Sequence, residues 1–144
     1  MSHRLSSVLA CLFGTAVLLA ACGRKAAPPQ AGVTIDSPAE GDTLRGSAVH
    51  VTLSVRGVEL APAAEERAGT AHHHLFLDVD TGPLDRAIPA GVTGIIHLGR
   101  AQTEFQWDSV APGPHRIIAV LADWRHVPLV PPPTDTVHFV VRPR

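Results

Sequence analysis

The feature that most constrains this chain is a strict two-residue alternation. It is clearest in "AVHVTLSVRGV", where Val49, Val51, Leu53 and Val55 fall on one side and His50, Thr52, Ser54 and Arg56 on the other. Successive side chains of a strand point to opposite faces, so the pattern marks a strand with one buried face. It recurs in short runs: Val33 and Ile35, then Leu75, Leu77 and Val79 set against His72, His74, Phe76 and Asp78, then "GIIHL" at 94–98, "TEFQW" at 103–107, "HRIIAVLAD" at 115–123 and "TVHFVV" at 136–141. Gly, Pro and Asp punctuate the runs as turn residues do. The stretch "ELAPAAEERAGTA" reads as a connector with one helical turn, and "TGPLDRAIPAGVTG" as a loop. No segment carries an apolar stripe of helical period. These runs predict an all-β, immunoglobulin-like antiparallel β-sandwich of about seven strands over residues 32–144.

Before the domain stands a segment of different character. A basic start at His3 and Arg4, an apolar run from Val8 to Ala20 and small residues before Cys22 read as a secretory leader. The run is shorter than the roughly 20 residues that span a bilayer. Leu19-Ala20-Ala21-Cys22 resembles the lipobox of bacterial lipoproteins, which implies a signal peptide over 1–21, acylation of Cys22 and a lipidated tether over 22–31. That tether contains the Pro-bearing "GRKAAPPQA", which has little apolar surface to bury. By the sorting habit of such lipoproteins, Gly23 implies an outer-membrane address facing the periplasm.

Cys11 falls within that leader, and the Cys22 thiol would carry lipid. No disulfide is therefore expected, and any metal site must be built from imidazole and oxygen ligands. With 12 basic and 13 acidic residues, a formal net charge of −1 and no basic stripe, the chain lacks a nucleic-acid footprint.

Histidine is the one chemically capable residue in excess, with nine in the chain. In "AHHHLFLDVD", alternation sends His73 to the core face, where a backbone carbonyl is its natural partner. His72 and His74 share the other face, roughly 6.5 to 7 Å apart along the strand. Such a pair can converge on one ion at distances of about 2.0 to 2.1 Å. A further ligand is needed, and His97 and His126 are the candidates. His72 and His97 must lie within about 8 Å of one another to share an ion. Asp78 is a candidate carboxylate or a partner that fixes a tautomer. The alternative is that these histidines form a polar, hydrogen-bonded cluster without metal. His115 aligns with Ile117, Ala119 and Leu121 and reads as structural. Asp123 reads as the anchor of the loop that follows it, and His50 and His138 as exposed.

"GTAHHHLFLDVD", "IIHLGRAQTEFQW", "APGPHRIIAVLADWRHVP" and "VHFVV", in that order, resemble the bacterial domain-of-unknown-function family 4399 from about residue 68 to 141. The positions carrying the likeness are His72, His73, His74, Asp78, His97, Gln102, Thr103, Glu104, His115, Asp123 and His126. In that family's pattern a further histidine follows the His-x-Pro step, where this chain has Leu129. The resemblance implies a secreted or lipid-anchored single domain and assigns no activity.

The sequence holds no nucleophile elbow, no phosphate-binding glycine loop and no cysteine nucleophile, so no enzyme activity is expected. The resulting expectation is a cell-envelope lipoprotein acting as a binding module. Its candidate cofactor is a divalent ion, Zn(II) or Cu(II), on His72, His74, His97 and His126. The expected partners are the membrane, through Cys22, and an envelope protein. The alternative is a structural or protein-interaction domain.

Overall fold

The computed structural model describes residues 29–144; the leader, Cys22 and most of the tether lie outside the described residues. Among the described residues nine strands follow one another: β1 (Gly32–Ser37), β2 (Thr43–Arg45), β3 (Val49–Arg56), β4 (Glu59–Leu60), β5 (Thr70–Leu77), β6 (Ile95–Leu98), β7 (Glu104–Trp107), β8 (Gly113–Ala122) and β9 (Thr134–Arg142). A single 3₁₀ turn, Ala63–Glu65, interrupts the connector before β5. Among the described residues no helix is long and apolar enough to cross a membrane.

One sheet has the order β1-β3-β7 and the other β2-β9-β8-β5-β4, with β6 pairing β5 beside β4. The two sheets pack face to face as an all-β sandwich. Val33, Ile35, Val49, Val51 and Leu53 meet Leu75, Ile117, Leu121, Val137 and Phe139 in a single core. Each of these is the inward member of an alternating run, and burying a side chain of this size contributes about 1.5 to 3 kcal/mol.

Two strands exceed the expected seven. β2 and β4 each pair in parallel, β2 with β9 and β4 with β5. With three and two residues they are too short to display a period, so alternation could not reveal them.

The six-stranded sheet also buries part of its outer face. Phe76, Val120 and Ala122 form a second, smaller core with Ile88, which the loop from 78 to 94 lays over the sheet, and Leu84 and Val79 pack beside them.

Candidate metal centre

β5 sends its three histidines to opposite faces of its sheet. The His73 side chain enters the region between the sheets, fully buried, and its Nδ1 donates to the Gln102 carbonyl at 2.9 Å. His72 and His74 lie on the outer face, both at most 2 % exposed. Their Nε2 atoms are 3.0 Å apart, so one ring donates its proton to the lone pair of the other.

His97 reaches the same place through strand pairing. It is the cross-strand partner of His74, and partners in an antiparallel ladder share a face. Its ring folds over Gly99: a Cβ at that position would run into Cε1 and Nε2 of the His97 imidazole. The absence of a side chain at Gly99 therefore gives His97 its orientation.

His126 arrives from the end of β8. After Ala122 the chain turns sharply and runs back, with Ala122 bridging Pro128 and the Leu129 N–H donating to the Leu121 carbonyl at 3.1 Å. Asp123 holds this turn. Its Oδ1 accepts from the Arg125 and Val127 amides at 2.8 and 3.1 Å, and its Oδ2 accepts from Arg125 Nε and Nη2. His126 itself adopts φ +66°, a left-handed conformation that costs a side-chain-bearing residue about 1 kcal/mol or more. The Ile88 amide donates to the His126 carbonyl at 2.9 Å, tying the covering loop to the turn.

The four rings thus converge from two adjacent strands and one loop. One nitrogen of each lies within 4.8 Å of one nitrogen of every other. The His72 centroid is 4.9 Å from that of His74, 4.8 Å from His97 and 5.0 Å from His126. The remaining separations are 5.1, 5.6 and 4.7 Å. Rings that place a nitrogen about 2.0 to 2.1 Å from one ion, in tetrahedral array, have centroids about 5.2 Å apart. The six separations cluster around that value.

The electrostatics keep His72, His74 and His97 neutral. Burial, then the nearby rings of His97 and His126, lower His72 to about 4. Burial, then His72, His97 and His126, lower His74 to about 3. His97 is lowered in the same way, by burial and by His126. Neutral imidazole is the form that offers a lone pair to a metal. Apart from the contact between His72 and His74, these rings have no hydrogen-bond partner among the described residues, and His74 Nδ1 is buried without one.

The other residues singled out from the sequence lie elsewhere. Asp78 does not join the cluster. Its carboxylate accepts from His115 Nδ1 at 2.6 Å and from the Arg116 amide at 2.9 Å, because φ +57° at Asp78 bends the chain back over β8 as β5 ends. His115 donates its second nitrogen to the Ala111 carbonyl at 2.7 Å. Both its partners are acceptors, so both nitrogens carry protons. Burial opposes this charge, but the Asp78 carboxylate and the Ala111 carbonyl raise its pKa above the ordinary value. His50 and His138 are exposed and face Glu104 and Glu40. Leu129 packs against the main core.

A cleft of about 370 Å³ opens beside the cluster, bounded by His74, His97, His126, Ile95 and the segment 87–91. Sequence reading did not anticipate this segment or Gly99. A short Pro- and Gly-bearing run gives no period from which its covering position could be inferred.

A family model described as "Domain of unknown function (DUF4399)" matches residues 51–142. No curated protein matches. Among solved structures, an engineered protein is similar with a TM-score of 0.50 and 15 % identity over 81 % of this chain and 21 % of its own. The fibronectin(III)-like modules of Clostridium thermocellum CbhA match with a TM-score of 0.49 and 15 % identity over 79 % of this chain and 47 % of theirs. The PKD domain of human KIAA0319 matches with a TM-score of 0.42 and 14 % identity, over 78 % and 81 %. This chain therefore spans less than half the length of the first two. Likeness at this identity concerns the fold alone, which is the immunoglobulin-like sandwich expected from the alternation.

Proposed function

The chain belongs to the DUF4399 family, and we propose that it is a metal-binding module of the cell envelope in which His72, His74, His97 and His126 hold one divalent transition-metal ion. The observation that carries this reading is the set of six centroid separations, 4.7 to 5.6 Å, which surround one point at the spacing of a tetrahedral four-imidazole site. The donor set is all nitrogen. Zn(II) suits its geometry, while Cu(II) would bind most tightly by intrinsic affinity.

A polar cluster held by hydrogen bonds is the competing reading, and it would require acceptors. The cluster has one ring-to-ring contact and no carboxylate or carbonyl bonded to any of the four rings among the described residues. The carboxylates singled out from the sequence do not favour an enzyme either, since Asp78 and Asp123 are engaged by His115 and Arg125. We extend the proposal to a lipid anchor at Cys22, on the lipobox-like "LAAC", and to an outer-membrane address, on Gly23 after it.

Calorimetric titration of the untagged chain with Zn(II) and Cu(II) tests the site. One ion per chain should bind, and the melting temperature should rise. At free metal one hundred times the dissociation constant, the stabilisation should reach about 2.7 kcal/mol. The His72→Ala/His74→Ala variant should show neither effect. Equal binding by this variant would place the ion elsewhere.

A further inference from the structure

The four rings are not equally enclosed. His72 stands apart from the cleft, whereas His74, His97 and His126 form one of its ends. In a tetrahedron of these ligands the face opposite His72, the triangle of His74, His97 and His126, borders the cleft. A fifth ligand entering there would lie opposite His72 and convert a tetrahedron into a trigonal bipyramid, a change within the ordinary range of Zn(II) and Co(II).

Charge and shape both restrict what would enter. Four neutral imidazoles leave a divalent ion with its full double positive charge, and among the described residues no charged side chain lines the cleft. Asp123, whose field does reach His72, is bonded to Arg125. An uncompensated charge beside apolar walls favours an anion. The rest of the cleft is Ile95 and the segment Ala87-Ile88-Pro89-Ala90-Gly91, which is small and apolar. This wall is also fixed in place, since the Ile88 amide is bonded to the His126 carbonyl.

Resting on the metal-binding reading, we infer that the centre takes an exogenous anionic ligand through this cleft, a carboxylate carrying a small apolar body. The carboxylate would bind the ion opposite His72 and its body would pack on the 87–91 segment. Its source is a free short-chain acid or the C-terminal carboxylate of a peptide.

The test uses the full chain loaded with Co(II), whose visible absorption weakens as the coordination number rises from four to five. Isobutyrate should lower the band about twofold or more and saturate at one equivalent. Isobutyramide, the neutral isostere, should leave it unchanged. N-acetylalanine run in parallel separates the sources: a response to both acids assigns a carboxylate that can be peptide-borne, and a response to isobutyrate alone assigns a free acid. Ala90→Phe, which narrows the cleft without touching a ligand, should retain Co(II) and lose the response. A tetrahedral spectrum indifferent to both acids would overturn the inference while leaving metal binding intact, as would release of Co(II) by the acids, detected by dialysis. Failure of Co(II) to bind would overturn both.

Discussion

His74 and His97 stand opposite each other in the β5–β6 ladder with their rings stacked at 25° and their centroids 5.1 Å apart. The stack depends on Gly99, whose missing side chain leaves room for the His97 ring. Gly99→Ala should displace that ring and weaken metal binding about tenfold or more, because one ligand is lost while the others stay. Far-ultraviolet circular dichroism of the metal-free protein should be unchanged. Wild-type affinity in this variant would show that His97 is not a ligand.

Acid should destabilise the metal-free protein. Burial and neighbouring rings hold His72 at about 4 and His74 at about 3 in the folded state, against about 6.5 when unfolded. Between those values the unfolded chain binds more protons, so stability rises with pH and is lost as pH falls below about 6.5. From pH 7 to pH 5 each ring should cost about 2 kcal/mol. Urea titrations at the two pH values measure this, and the His72→Leu/His74→Leu variant should flatten the dependence. Bound metal should resist the same acidification until protons compete for the ligands.

Asp123→Ala removes the carboxylate that holds the His126 turn. Four hydrogen bonds are lost, two from backbone amides and two from Arg125. The expected cost is about 2 kcal/mol in stability, with a further fall in metal affinity as His126 loses its position. In the wild type, burial opposes ionisation of Asp123, but its bonds to Arg125 and the backbone hold the carboxyl below its usual range. Its contribution is therefore present above about pH 4 and lost as pH falls through the depressed value.

Asp78→Asn acts at the other end of β5 and should leave metal binding alone. The raised pKa of His115 means that its pairing contributes fully below about pH 6.5 and fades as pH rises through the folded value. This is the reverse of the sign for His72 and His74. The variant should lose about 1 kcal/mol at pH 6, a modest figure because Asp78 is 45 % exposed and screened by solvent. Proton NMR should show His115 titrating at lower pH than in the wild type.

Strand positions and faces were legible because alternation reports which side chains share a face, but it did not reveal that the outer face of β5 is buried as well. The division of His73 from His72 and His74 followed from period alone, and β2 and β4 escaped because two or three residues have no period. Convergence of the histidines was legible only in part. That His97 opposes His74 depends on the β5–β6 register, and that His126 turns inward depends on the Asp123 turn; neither long-range pairing nor a left-handed φ is encoded in local pattern. Asp78 shares a face with His74 by alternation, yet β5 ends at Leu77 and the next residue bends away.

The opposed faces of β5 also bear on how faithfully the chain must assemble. Three like residues in succession look interchangeable, so β5 would seem tolerant of pairing with β8 one step out of place. It is not. Such a slip turns every side chain of the strand over, bringing two imidazoles into the space between the sheets and expelling Leu75. It would leave His73 alone where His72 and His74 had stood as a pair. The triplet therefore acts as a proofreading mark, since a misaligned strand forfeits the core and the histidine cluster together.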